Sequence, residues 1–385
     1  MFPVSVLAIK DMLGSDTWAG LATGAGTVGS ALSAMWLASY MQRRGRTPGL
    51  SGGFAVAGAG GVLAIVAIQA SSLLLFVPAM VLVGVGSGTS NLSRYAAADL
   101  ASASRRSREI STVIFAATFG AVLFPLFIGV AGDAAEAVSL DANAGGFAVA
   151  VCFFFLAGLT IWLFMRPDPL VVAGGVDPNA KRRDGIPFGR AMAIAWARPL
   201  ARLAFVTLIV AQAVMVMVMA MTPLHMEAHG HSNGTVGAVI SAHTAGMFAF
   251  APLAGWASDR FGRVPTIAIG GLTLVLATIL TALAGESPRL LMFPGLFLLG
   301  LGWSFGFVAG SALLTESVDL GDRVAVQGAA DLATNVASGV GALASGVVLS
   351  MSGFHTLSLI GMTAAGALLI HAYFEHRLAQ RLAAT

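Results

Sequence analysis

Asp331 stands inside a long apolar stretch, Val324–Ser350, with Asn335 four residues further on, so the two share one face of a helix. His243 stands halfway along a second apolar stretch, Ser232–Ala257. A carboxylate among hydrocarbon side chains is costly to keep charged. It marks an ion or substrate path, or else a helix-start acid paired with a cation. Arg94 and Arg46 are the cations that the second alternative calls on. A neutral imidazole in such surroundings relays protons or binds a polar group of a substrate, or it is a hydrogen-bonded packing residue. Gln212, within Leu203–Met226, and Trp303, within Leu290–Thr315, add an amide and an indole at comparable depth.

Other chemistry is scarce. Leu224-His225-Met226-Glu227-Ala-His229-Gly-His231 gathers three histidines and a glutamate, but at no spacing that a metal site favours, and an exposed loop explains them more simply. Met215, Met217, Met219 and Met221 alternate by two, which spreads them around a helix as packing residues. No HExxH and no GxxxxGK[ST] is present, so no metal site, cofactor or enzyme activity is expected and ATP hydrolysis is not the energy source. Cys152, the single cysteine, has no internal disulfide partner.

The elements that position these residues follow from composition. The chain of 385 residues is 57% hydrophobic and 10% charged, with mean hydropathy +0.85, whereas soluble domains carry about 25% charged residues. It is a membrane-embedded, all-helical chain. About 20 apolar residues cross the hydrocarbon layer. Eleven runs fit: Trp18–Met41, Leu50–Gln69, Ser72–Ser93, Ile110–Gly132, Ala142–Met165, Leu203–Met226, Ser232–Ala257, Val264–Gly285, Leu290–Thr315, Val324–Ser350 and Phe354–Phe374. The 47 glycines suit helices that approach closely in lipid. When the loops around Arg43, Arg105, Lys181, Arg260 and Arg323 and the C-terminal tail share one side, that side holds 19 of the 21 Lys and Arg. The positive-inside rule makes it cytoplasmic, so the chain is expected in an inner (cytoplasmic) membrane with its C-terminus on the cytoplasmic side. The basic isoelectric point therefore reflects topology and anionic headgroups, and no nucleic-acid partner is implied.

One loop is more specific. Gly255-Trp-Ala-Ser-Asp259-Arg260-Phe-Gly262-Arg263-Val-Pro265 joins two spans, and a degenerate copy, Gln42-Arg43-Arg44-Gly45-Arg46-Thr-Pro48, joins two spans of the first half. This pair resembles the cytoplasmic loop signature of the major facilitator superfamily of secondary transporters. The resemblance covers nearly the whole chain. It implies two six-helix bundles: an N-terminal bundle over residues 1–165, a cytoplasmic linker over 166–202 and a C-terminal bundle over 203–385. It implies that Gly255, Asp259, Arg260, Gly262, Arg263, Arg43, Gly45 and Arg46 form a cytoplasmic gate, Asp259 approaching the helix that starts near Ile110. The alternative is a positive-inside anchor with a tight turn. Gln42 replaces the usual acid of the first copy.

By the same resemblance the substrate path runs near the midplane past Asp331, Asn335, His243, Gln212 and Trp303. Few buried charges imply a small, neutral or weakly ionic, partly apolar solute, carried by a monomer at the expense of a proton gradient. Proton-coupled export is the first reading and proton-coupled uptake of a metabolite the second. A non-transporting receptor or assembly factor is the reading from another class. Two family patterns are weak: Met80 stands where proton-coupled members often carry arginine, and Phe124 where exporters carry glycine. Only Met1–Ile9 corresponds to the family's first helix, so a start upstream of Met1 is expected.

Overall fold

The computed structural model describes residues 20–176, 186–284 and 288–384, together with Ser5, Ala8, Ile9 and Met12. Lys10, Asp11 and Lys181, part of the first expected helix and the centre of the expected linker lie outside the described residues.

The described chain is helical almost throughout. Its long helices are α1 (Gly20–Arg44), α2 (Arg46–Gln69), α3 (Leu73–Asp99), α4 (Arg106–Ala137) and α5 (Ala142–Phe164). Two short helices follow, α6 (Pro169–Val172) and α7 (Phe188–Ala197). Then come α8 (Pro199–Ala228), α9 (Asn233–Thr244), a π-helical turn (Ala245–Ala249), α10 (Ala251–Phe261), α11 (Arg263–Leu283), α12 (Pro288–Ser317) and α13 (Leu320–Ala384). Among the described residues, eight helices are long and apolar enough to cross a membrane. α13 counts as one of these, yet Gly353 breaks it at φ 77° into two, and α1 and α4 are also long enough by length. The eleven expected runs therefore each have a helix. The tenth run begins earlier than expected, at Leu320 and not at Val324, which sets Asp331 three turns into its helix.

The helices form two compact units. One comprises the described residues up to Leu100, Phe119–Phe188 and Leu320–Asn335; the other comprises Ala101–Thr118, Gly189–Asp319 and Val336–Thr385. Two helices, α4 and α13, thus give their first turns to one unit and the remainder to the other.

The core of the first unit is assembled largely from alanines with a few large side chains. One cluster gathers Ala22, Ala25, Ala64, Ala67, Phe76, Ala79, Met80 and Phe147, with Ala8 and Ile9; another gathers Leu37, Met41, Leu50, Leu92, Tyr95, Leu170 and Val324. Small residues let backbones touch. A Cβ added to Gly29 would lie 1.9 Å from the Val81 carbonyl oxygen, and one added to Gly84 would lie 2.0 Å from that of Gly26, so α1 and α3 cross with no room for a methyl. Large apolar side chains such as Leu74, Phe164, Leu343 and Met351 face outward, the reverse of a soluble protein.

Candidate functional site: two buried charge clusters

The two loop copies build the same turn. Gly45 ends α1 at φ 99°, ψ 172°, and Gly262 ends α10 at φ 98°, ψ 162°. Glycine populates this left-handed region without the penalty a Cβ brings. Pro48 and Pro265 follow, each within the first turn of the next helix, where a missing N–H costs nothing. Asp168, from the segment after α5, caps the first copy: its Oδ2 accepts from the Thr47 N–H at 2.7 Å.

In the second unit, the Asp259 carboxylate accepts from the backbone N–H groups of Ser107 at 3.1 Å and Arg108 at 3.0 Å. These are unpaired donors at the positive end of α4, where an acid is favoured by about 0.3–1 kcal/mol. Arg263 bridges outward: its Nη1 lies 2.6 Å from Asp259 Oδ1 and its Nη2 lies 2.8 Å from Glu316 Oε1, and it also donates to the Ala103 carbonyl. Arg106 approaches the same glutamate at 3.2 Å, and Ser107 bonds Ser258 at 2.8 Å. Gly255 makes room for this: a Cβ there would fall 2.2 Å from Ser111 Oγ. Arg43 and Arg260 are both exposed and make no ion pair among the described residues.

The first unit repeats the pattern. Arg46 Nε lies 2.8 Å from Asp99 Oδ2, both side chains fully buried, and its Nη2 donates to Gln327 Oε1 at 2.6 Å. Arg46 to Asp99 and Arg263 to Glu316 each span 53 residues, so one ion pair recurs at the same register in both halves. Gln42 takes the place of Asp259 and approaches the start of α13, but as a donor: its Nε2 bonds the Gly321 carbonyl at 2.8 Å, and its Oε1 is buried with no partner among the described residues.

A further pair in this unit breaks the repeat. Arg94 Nη2 lies 2.6 Å from Asp331 Oδ1, and Nη1 lies 3.4 Å from Oδ2; the side chains are 2% and 4% exposed. The guanidinium also donates to Tyr95 Oη at 2.9 Å and stacks 4.2 Å over that ring. Ser311 and Ile114 occupy the equivalent places of the repeat, so the fold tolerates this position without charge. One turn beyond Asp331, Asn335 accepts from Ser30 Oγ at 3.2 Å and donates to the Asp331 carbonyl at 2.8 Å. The bidentate pair sets a buried cation against a buried carboxylate, and neutralising either one removes the counter-charge of the other.

The remaining expected residues lie in the second unit. Trp303 Nε1 donates to Gln212 Oε1 at 2.7 Å, with Phe307 stacked on the indole at 4.5 Å and Phe248 edge-on at 6.0 Å. His243 bonds the Leu296 carbonyl at 2.9 Å. Asp331 and Asn335 are brought together; Gln212 and Trp303 are brought together. Asp99, Glu316, Gln327 and Tyr95 were not among the expected site residues. Asp99 and Glu316 close their helices, where single acids read as loop charges, and the equal spacing from Arg46 and Arg263 is the signal that singles them out.

The family model described as Major Facilitator Superfamily matches residues 1–232 and 203–381. Among curated proteins, the chain is similar to two from Bacillus subtilis (strain 168). It is 35% identical to the uncharacterized MFS-type transporter YdeG, over 93% of this chain and 83% of that protein. It is 34% identical to the uncharacterized MFS-type transporter YddS, over 93% and 82%. It is also 29% identical to the riboflavin transporter RfnT of Brucella anthropi, over 86% and 80%. Solved structures with the same fold include the transporter FucP in its outward conformation, with TM-score 0.74 and 16% identity over 97% of this chain and 96% of that one. A bacterial homologue of the iron transporter ferroportin gives TM-score 0.72 and 14% identity, over 97% and 94%. The chain belongs to the major facilitator superfamily of transporters.

Proposed function

We propose that the chain is a secondary active transporter that exports a small, partly apolar organic solute by alternating access, with protons as the coupling ion. The observation that carries this reading is the Arg94–Asp331 pair, a buried charge pair within spans that the fold's internal repeat does without. Charges kept inside spans at such cost mark a transport path. The ion pairs around Arg46, Arg94, Asp259 and Arg263 act as gate contacts, made in one state and broken in another. Opposite charges that satisfy each other are well suited to this, since each state must hold them either paired or wet. The scarcity of other buried charge favours a neutral or weakly ionic solute, and Gln212 with Trp303 provides a hydrogen-bonding amide beside an aromatic surface.

The same reading places the monomer in the cytoplasmic membrane with its basic loops and C-terminus inside. It treats residues 1–165 and 203–385 as the two repeats and 166–202 as their connection. Resemblance to a riboflavin transporter over 86% of the chain favours a second reading of the cargo, a flat heteroaromatic metabolite taken up from outside.

Reconstitution tests both. Purified protein in liposomes, with no nucleotide present, is assayed with riboflavin and a panel of neutral planar aromatics under an imposed pH gradient. Export predicts accumulation on the acidic side, and uptake predicts accumulation on the alkaline side. No gradient-dependent movement of any solute would leave the receptor class standing.

A further inference from the structure

We infer that His243 is the seat of the coupling proton, an assignment that rests on the proton-coupled reading above. His243 is 2% exposed, at the end of α9. Its Nδ1 lies 2.9 Å from the Leu296 carbonyl oxygen. A carbonyl only accepts, so Nδ1 carries the hydrogen, and Nε2 carries a bare lone pair. That Nε2 is buried and has no hydrogen-bond partner among the described residues. A buried acceptor without a partner costs about 1–3 kcal/mol.

The backbone crossing at His243 does not depend on its side chain. A Cβ on Gly300 of α12 would lie 2.2 Å from the His243 carbonyl oxygen, just as one on Gly84 would lie 2.0 Å from that of Gly26. The equivalent crossing in the first half is therefore built on a glycine, with no imidazole. A second departure from the repeat follows two residues later. The π-helical turn Ala245–Ala249 replaces regular helix, with the Phe250 N–H bonded to the Ala245 carbonyl at 3.3 Å. Pro252 accounts for it, because the ring has no N–H and crowds the Phe248 carbonyl. Such turns recur at functional positions and can shift by one hydrogen-bond register. Here the shift would move α9 relative to α12.

Asp331 is less suited to the task, since a proton there would strand Arg94. No titratable group competes near His243: α12 carries none from Leu290 to Thr315, and α8 none from Leu203 to Leu224. In the step itself, Nε2 takes a proton from water on the acidic side while Nδ1–H stays on Leu296. The resulting imidazolium returns that proton to water on the other side and regains the neutral tautomer.

Solid-state 15N spectra of histidine-labelled protein in liposomes test this without a substrate. Signals missing from His243→Asn belong to His243. That variant retains an amide N–H for Leu296 and has no basic nitrogen, and His243→Gln serves as the second variant if it folds poorly. The expected spectrum shows one protonated and one bare ring nitrogen near pH 8, the bare one gaining a proton on acidification toward about pH 4, a range that extends well below ordinary imidazole. A ring that stays neutral throughout overturns the assignment. Flux of riboflavin as probe is the second readout. The variants are expected to lose about tenfold or more of gradient-driven accumulation, equal to about 1.4 kcal/mol of coupling. Wild-type accumulation in a folded variant also overturns it. If wild type moves no riboflavin, the heteroaromatic cargo falls, and the spectra still decide whether His243 takes a proton.

Discussion

At the scale of the residue, the same chemistry is used with two different partners. Asp259 satisfies two free N–H groups at the start of α4, whereas Gln42, in the matching place, donates to a carbonyl and leaves its own oxygen unpaired. Gln42→Asp is therefore expected to stabilise the protein by up to about 1 kcal/mol, by setting a carboxylate at the α13 start. A lower melting temperature in detergent would contradict it. Arg94 and Asp331 make the opposite case. Arg94→Met alone is expected to cost about 3–5 kcal/mol, because Asp331 stays buried without its cation. The double variant Arg94→Met with Asp331→Leu is expected to recover most of that loss while transport stays abolished. Thermal unfolding with a flux assay checks this, and a double variant as unstable as the single would show that the pair holds the fold rather than the transport cycle.

At the scale of the element, glycine decides which helices touch. Among the described residues Gly24 has nothing within 4 Å of a built Cβ, whereas Gly84 has the Gly26 carbonyl at 2.0 Å. Gly24→Ala is expected to stabilise by about 0.4–1 kcal/mol, and Gly84→Ala to destabilise by about 1–3 kcal/mol. Unfolding midpoints that rank the two in the other order would refute the α1–α3 crossing. Such contrasts are not legible in a sequence with 47 glycines, because packing in three dimensions alone says which of them face a backbone. Helix positions were more legible. Runs of about 20 apolar residues and a charged loop with glycine and proline at fixed offsets specify spans and turns from local physics. The start of α13 was less so, since Leu320 to Arg323 is charged enough to read as loop although it is the helix's first turn. The π-helical turn had a visible cause in Pro252, but which way the ladder would adjust depends on α12.

At the scale of the whole molecule, the repeat explains what was readable in the candidate site and what was not. Asp259, Arg263, Gly45 and Arg46 stood out because the loop occurs twice. Asp331 and His243 stood out because polar groups in apolar runs are rare. Arg94 was one of the two cations the sequence offered to Asp331, and it is the one that pairs; Leu296, the partner of His243, comes from a helix distant in sequence, and no periodicity announces it. The two groups that depart from the repeat are the ones to which the proposed transport cycle gives roles. The ion pair at the loop recurs in both halves, Arg46 with Asp99 and Arg263 with Glu316, as an internal repeat requires.

The central claim is that solute movement and proton movement are one process. The most direct measurement records both at once in the same liposomes, with a trapped pH indicator reporting protons while solute uptake is followed. The account predicts that an imposed pH gradient drives solute against its own gradient, and that a solute gradient imposed at equal pH drives protons the opposite way. Solute flux that leaves the pH signal unchanged would contradict it.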